Sequence, residues 1–525
     1  MYGTEQAPVV FTAHSSGPQP GFWRGIHFLS QTLQNDTSLE HAIIEYAGDA
    51  YGGAIVVEAP ADKTVEIALK NVTIKNSLNA GINMKGMARL KAITENLSIT
   101  GTVTTSAGEG GFPIISTPYG THNLPEGTYR PNAISAINVN GGGGSNDIIN
   151  FNLTWKNIGL PYAISDTLYV DGPNTPTLTI EPGVITLWAP RTALQVGTWS
   201  PGALVAESKG VTKEDLELGL DLATLDLAAA ECADCARNKA IVFGPWTESP
   251  RPGTWRGIMF GNGTSDKSKL VGTVVAYGGE DLDGNGAVSV GSWDFGKVRV
   301  LVADSLITEA AGYGIYLYPQ ATLMPGSTGN VITKNKAPVR AIASSVSSLL
   351  SDNDYTGNET DAIIIEGDGD LTSKHTWQAL NVPYRANRQI WVYGSGASLT
   401  LEPGVTIEFG ADELLNVGSQ GGDLFATGTP DKPITLTGAS KRPGYWEGIR
   451  VDGRVGEIVL EHVIIEYATH GVTITEDVGR FIENCTFRNN QGYGINIEGE
   501  ILTDHRPGNT FENNRLGAQA PLYGE

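Results

Sequence analysis

The chain has 525 residues and a mass of 55.6 kDa, more than one compact core usually supports, so it is either several domains or one elongated repeat structure. Sixty-six Gly and 27 Pro among 40% hydrophobic residues describe an ordered, turn-rich chain and exclude a disordered one. A formal net charge of -22 keeps a large surface soluble; it also argues against nucleic acid and anionic membranes, leaving divalent cations or neutral sugars as better partners.

Residues 1 to 100 run through Pro8-Val-Val-Phe-Thr12, Pro20-Gly-Phe-Trp-Arg-Gly-Ile-His-Phe28, Leu39-Glu-His-Ala-Ile-Ile-Glu-Tyr-Ala47, Gly53-Ala-Ile-Val-Val57, Leu69-Lys-Asn-Val-Thr-Ile-Lys-Asn76 and Ala80-Gly-Ile-Asn-Met84. Apolar residues alternate within each run, as a strand with one buried face requires, and Gly, Asn or a charged turn closes it. The series then returns. Pro252-Gly-Thr-Trp-Arg-Gly-Ile258 and Pro443-Gly-Tyr-Trp-Glu-Gly-Ile449 match the second unit, and Leu270-Val-Gly-Thr-Val-Val-Ala-Tyr-Gly278 and Leu460-Glu-His-Val-Ile-Ile-Glu-Tyr-Ala468 match the third. Two further elements precede the later copies: Trp155 and Trp377 lead to Leu178-Thr-Ile-Glu-Pro-Gly-Val184 and Leu399-Thr-Leu-Glu-Pro-Gly-Val405 at nearly constant offset. The large repeat is therefore about 220 residues, built of rungs too small to bury a face alone. With about 25 residues per rung, roughly twenty rungs at about 4.8 Å would make a rod of roughly 90 Å.

These repeats divide the chain into residues 1–150, a first repeat incomplete at its start plus a loop insertion, residues 151–375, a second repeat with a helical insertion, and residues 376–525, a third. One continuous solenoid is expected. Met1-Tyr-Gly-Thr-Glu5 lacks a basic start and an apolar h-region, and the chain opens part-way through a repeat, so a leader and an earlier portion are expected to precede it. No apolar run is long enough to span a bilayer.

Residues 101–150 depart from the pattern. Gly108-Glu-Gly-Gly111, Gly120-Thr-His-Asn-Leu-Pro-Glu-Gly127 and Gly141-Gly-Gly-Gly144 read as long loops around short strands such as Ala133-Ile-Ser-Ala-Ile-Asn-Val139, and long loops on a rigid scaffold are where binding usually lives. Near 212–231, acidic residues in a first turn and Leu at near-helical spacing predict one helix packed on the rod's flank. Cys232 and Cys235 follow it; a local disulfide or two free thiols suit a lone Cys-x-x-Cys better than zinc, which wants four ligands, and a disulfide pinning the helix end is the expectation. Asp281-Leu-Asp-Gly-Asn-Gly286 sets oxygen ligands Asp281, Asp283 and Asn285 at alternate positions before a Gly, as a calcium loop does, although its twelfth position is Ser292; an acidic hairpin turn is the alternative.

Asn71, Asn76, Asn484, Asn489 and Asn490 fall at turns, where amides can stack from rung to rung. Cys485 reads as a small core residue. Trp23, Trp255 and Trp446 are either rung-sealing aromatics or sugar platforms, the first being favoured by the fixed Gly two places on. Glu40, His41 and Glu45, matched by Glu461, His462 and Glu466, are the nearest approach to an acid/base set, yet strand alternation puts Glu40 and Glu45 on opposite faces.

Taken together, Leu-Thr-Ile/Leu-Glu-Pro-Gly-Val, Gly428-Thr-Pro-Asp-Lys-Pro-Ile-Thr-Leu-Thr437, Pro-Gly-x-Trp-x-Gly-Ile and Leu-Glu-His-x-Ile-Ile-Glu-Tyr-Ala resemble units of secreted or surface-anchored bacterial right-handed parallel β-helix proteins of the pectate-lyase-like superfamily. The resemblance covers most of residues 1 to 100 and 155 to 520. It implies an all-β fold, a right-handed parallel β-helix with one helical insertion near 212–231 and long loops near 101–150. The same scaffold carries lyases, hydrolases, epimerases, adhesins and structural rods. Polysaccharide-cleaving members use clustered carboxylates, or a basic residue beside calcium, on one outer face; the Asn-Thr-Asp, Asp-Asp, Gly-His-Gly and Arg-Ile-Lys series of the polygalacturonase-like members is absent from this sequence. The expectation is thus a non-catalytic extracellular or cell-surface rod for adhesion, surface structure or glycan binding, with no catalytic residue assigned and calcium as a cofactor. The alternatives are a polysaccharide lyase or glycoside hydrolase with its groove near the loops of residues 108 to 145, and a self-assembling filament or surface-layer module.

Overall fold

A computed structural model describes the chain apart from residues 33–36, 51, 61–62, 142–143, 229–231, 233, 280–284, 294–295, 419, 453–455, 478, 480 and 525. It is an all-β parallel solenoid of about 18 turns with very little helix. Two compact units divide it: Met1–Val288 with Val298–Ala311, and Ser289–Lys297 with Gly312–Glu525.

In the first unit the longest run of paired strands comprises Ile26–Phe28, Ile55–Glu58, Ala80–Lys85, Phe112–Ser116, Ile137–Val139, Tyr162–Ile164, Ile185–Trp188, Ile241–Pro245, Thr273–Ala276 and Leu306–Thr308. Register stacks Ile55, Ile82, Ile114, Ile137 and Tyr162 in one inward column, all buried. Each such side chain contributes about 1.5–3 kcal/mol of burial, and no rung could collect it without neighbours above and below. The column one residue on, Val56, Asn83, Ile115, Asn138 and Ala163, faces outward.

The recurring tryptophans seal rungs. Trp255 and Trp446 are fully buried, and the indole Nε1 of Trp23, Trp255 and Trp446 donates to the carbonyls of Glu45 (2.9 Å), Ala276 (2.8 Å) and Glu466 (2.9 Å) at matching places in three copies. Stacking on the preceding rung completes the seal: Trp255 lies 5.5 Å from Trp188, and Trp446 lies 4.3 Å from Phe409.

The insertion after Ala203–Glu207 begins with the helix Lys213–Leu222, whose Thr212 and Asp215 form a reciprocal capping box. Leu216, Gly219 and Leu222 are buried, and a Cβ on Gly219 would stand 2.8 Å from Val274 Cγ2 and 3.4 Å from Val242 Cγ2. The helix thus covers the outer face of Ile241–Pro245 and Thr273–Ala276, which explains why those strands are apolar on both sides. It is shorter than the expected 212–231. Ala223 packs against Gly244 and closes the last turn, and Asp226 Oδ1 then accepts the Ala228 N–H at 2.9 Å, a local turn that competes with helix. Cys232 and Cys235 are joined as a disulfide. Cys485 is a buried free thiol, pushed up to about 12 by burial.

The second unit pairs Tyr313–Leu317, Ala337–Ala341, Ile363–Ile365, Tyr384–Ala386, Thr406–Phe409, Ile434–Gly438, Val463–Glu466, Thr486–Arg488 and Thr510–Glu512 in parallel. Its corners carry amide ladders: Asn330 to Asn353 at 2.8 Å, Asn335 to Asn358 at 3.1 Å and Asn490 to Asn514 at 2.8 Å.

Candidate functional site

The outward column of the long sheet in the first unit is the floor of a groove. Asn83, on Ala80–Lys85, and Asn138, on Ile137–Val139, lie in equivalent register on either side of Ile115 and are 6% and 5% exposed. Asn83 Nδ2 donates to Gly52 O at 3.3 Å, Asn79 Nδ2 to the same carbonyl at 2.9 Å, and Asn138 Nδ2 to Ser165 Oγ at 2.8 Å. Each amide is therefore held in place from a neighbouring rung. Glu109, flanked by Gly108 and Gly110, forms one wall of the resulting cavity of about 550 Å³, which Asn140 and Trp246 also line. Its loop is fixed where Thr105 N donates to Glu109 O at 2.7 Å and Gly111 N to Asn79 O at 2.6 Å.

Trp246 is half-buried, its ring edge-on to Phe112 at 5.9 Å. With Ile134 it also bounds a second cavity of about 410 Å³ that the segment 224–228 of the insertion walls off. That segment is tied to the sheet, since Ser135 N donates to Leu227 O at 2.8 Å. At the other end a third cavity, of about 290 Å³, shares Asn83, Ile115 and Asn140 and adds Lys85, Ser116 and Asn146. The three share walls and form one trough, lined by amides and hydroxyls around Asn83 and Asn138, with an indole part-way along it and the carboxylates of Asp226 and Glu248 beyond that indole. Glu109 is the carboxylate among the described residues that line the 550 Å³ cavity.

The nearest approach to an acid/base set lies elsewhere, and His41, Glu45 and Glu466 in it are already engaged. His41 and His462 stand at corners with φ of 49° and 50°, the left-handed conformation also adopted by Asn71 and Asn96. Asn96 Nδ2 donates to Asn71 Oδ1 at 2.8 Å, and Asn71 Nδ2 lies 3.4 Å from His41 Nε2, so His41 ends an amide ladder. The corner also corrects the simple alternation. It resets the phase, so Leu39, Ala42 and Ile44 point inward while Glu40 and Glu45 both stay outside. Glu45 meets Lys75 Nζ at 2.7 Å and Thr12 Oγ1 at 2.9 Å, and Lys75 holds its carboxyl below the usual range. Glu466 meets Arg488 Nε at 2.6 Å and Thr437 Oγ1 at 3.0 Å.

Of the calcium-loop residues, Asp281 and Asp283 lie outside the described residues, whereas Asn285 is within them. Reasoning from sequence overlooked Asn79, Asn83, Ser165 and Trp246. A signal was present in Gly81-Ile-Asn-Met84 and Ala136-Ile-Asn-Val139, where an inward Ile is followed by an Asn aimed outward.

Stacked parallel rungs with a walled groove on an outer sheet face define a parallel β-solenoid protein. Within the second unit, residues 369–470 match the family model described as a pectate-lyase like beta helix domain. No curated protein and no solved structure matches the chain. No helix among the described residues is long and apolar enough to cross a membrane.

Proposed function

We propose that the chain is a non-catalytic extracellular or cell-surface β-solenoid module that holds a neutral glycan in the groove of its first unit. The observation that carries this reading is the row of rung-held amides, Asn79, Asn83 and Asn138, beside Trp246. An amide offers both donors and acceptors to sugar hydroxyls, and an indole offers a face to the ring. Glycoside hydrolysis would instead need two carboxyl groups about 5–10 Å apart on either side of the bound sugar. The amide floor of the 550 Å³ cavity carries Glu109 alone among its described lining, while Asp226 and Glu248 line the neighbouring cavity beyond Trp246 and are the carboxylates a hydrolytic reading would have to use. Extracellular placement is supported by the family match, whose members are typically extracellular, and by the Cys232–Cys235 disulfide, which suits an oxidising compartment. Calcium, expected from the spacing of Asp281, Asp283 and Asn285 in the sequence, enters this reading as a proposed cofactor.

The test is a panel of neutral and acidic polysaccharides, run with calcium and with a chelator and scored for both retention and release of reducing or unsaturated ends. Retention of a neutral glycan without product, weakened about tenfold by Asn138→Ala, is the expected result. Product release abolished by a single carboxylate substitution would replace this reading with an enzymatic one.

A further inference from the structure

Beyond the groove, the first unit displays one aromatic side chain that its fold goes to some length to fix. Trp199 is 66% exposed and stacks on Tyr169 at 4.5 Å. Its loop is pinned to the rung before it, where Gly197 N donates to Val170 O at 3.1 Å and Gly172 N to Pro201 O at 3.0 Å. It is pinned to the rung after it as well, through Gly263 N to Gly197 O at 2.8 Å and Gly202 N to Gly263 O at 3.1 Å. Beneath the indole, Asp171 Oδ1 accepts the N–H groups of Thr198 at 2.8 Å and Ser200 at 3.4 Å. Asp171 is 4% exposed, and its Oδ2 is buried without a hydrogen bond. Burial pushes its carboxyl above the usual range against the pull of those N–H groups. A buried, half-paired acid costs stability, and a sequence accepts that cost most readily where geometry serves a function.

The surroundings suit a sugar. Tyr169 pairs in register with Gln195, whose Oε1 accepts the Thr198 hydroxyl at 3.2 Å, so hydrogen-bonding groups flank the ring pair. On the other side Tyr169 pairs with Ile148, which lines a cavity of about 120 Å³ with Asn146 and Thr117. Asn146 and Thr117 also line the end of the trough, so the small cavity adjoins the groove and its Ile148 is one strand from the ring pair. Adjacent strands are only about 4.8 Å apart. The charge of -22 disfavours an anionic occupant.

We infer that Trp199 and Tyr169 form a second sugar-stacking station, at which the neutral glycan held in the groove continues onto a neighbouring face. The inference rests on the glycan reading above. Asp171 is its positioning residue, because it holds the loop backbone on both sides of Trp199.

The test is affinity electrophoresis of the whole chain in gels containing, in turn, a xylan, a mannan, a galactan and a β-glucan, followed by titration with short and long oligosaccharides of the glycan that retains it. Trp199→Ala should weaken the long oligosaccharides about tenfold and leave two-sugar fragments unchanged, at unaltered melting temperature. Asp171→Ala should reproduce the length-dependent loss, and Tyr169→Phe should not. Undiminished retention of Trp199→Ala, with Asn138→Ala impaired, overturns the station and leaves the groove standing. Failure of the wild-type chain to be retained by any of the four overturns both.

Discussion

Gly25, Gly257 and Gly448 stand two residues after the recurring tryptophans, with φ of 95°, 92° and 106°. A Cβ there would fall on the carbonyl oxygens of Ala54, Ala287 and His470, part of the backbone that the stack cannot move. Gly448→Ala should therefore lower stability by about 1–3 kcal/mol in denaturant unfolding, whereas Gly17→Ala, which meets nothing within 4 Å, should stay within about 0.5 kcal/mol. This tryptophan–glycine pair was legible in the sequence as a rung seal because it recurs unchanged. Asp477 was not legible, since its partners lie about 25 residues away. It accepts the Thr503 hydroxyl at 2.7 Å and the N–H groups of Leu502 at 2.8 Å and Thr503 at 3.1 Å, which lower its carboxyl to about 2, the hydroxyl most. A depressed carboxylate stabilises the fold above the unfolded value near 3.8 and loses that contribution as pH falls through about 2. The melting-temperature gap between wild type and Asp477→Asn should hold at about pH 5 to 7 and shrink between about pH 4 and 2. A gap independent of pH would show that the negative charge is not what joins these segments.

At the scale of elements, the insertion after Ala203–Glu207 behaves as a strap. Its helix start was readable from the acidic first turn, because the interaction of those carboxylates with the helix end is local. Its end was not, because Ala223 stops against Gly244, a contact no local pattern encodes. Thr212→Ala should cost about 1 kcal/mol, read as faster amide exchange over residues 213–222 while the strands beneath stay protected. Gly219→Leu should go further, since even a Cβ at 2.8 Å from Val274 leaves no room for a larger side chain. The helix would lift, and proteolysis within 213–228 would rise sharply. Because residues 224–228 wall the cavity beside Trp246, the same variant should also weaken glycan retention.

For the whole molecule, the solenoid was legible because a repeat is stated many times, and each statement places the same apolar column and the same turn residues. The groove's place was partly legible, since Glu109 and Asn138 fall in the loop-rich stretch of residues 108 to 145, but its full lining was hidden for the complementary reason. Its walls come from Ala50, Asn79, Asn83, Glu109, Asn138, Ser165 and Trp246, which only rung stacking brings together, and several lie in the stretch where recurrence is weakest. Net charge bears on both fold and binding. Between about 0.1 M and about 1 M salt the screening length falls from about 10 Å to about 3 Å. Self-repulsion among surplus carboxylates weakens accordingly, so the melting temperature should rise with salt. Affinity for a neutral glycan should change by less than about twofold over the same range, because amide hydrogen bonds and ring stacking carry no net charge to screen. A steep loss of retention would instead identify a cationic ligand drawn by the acidic surface, and a steep gain would identify an acidic glycan that the surface repels. Either result would remove the neutral-glycan reading while leaving the solenoid, and the salt dependence of its stability, unaffected.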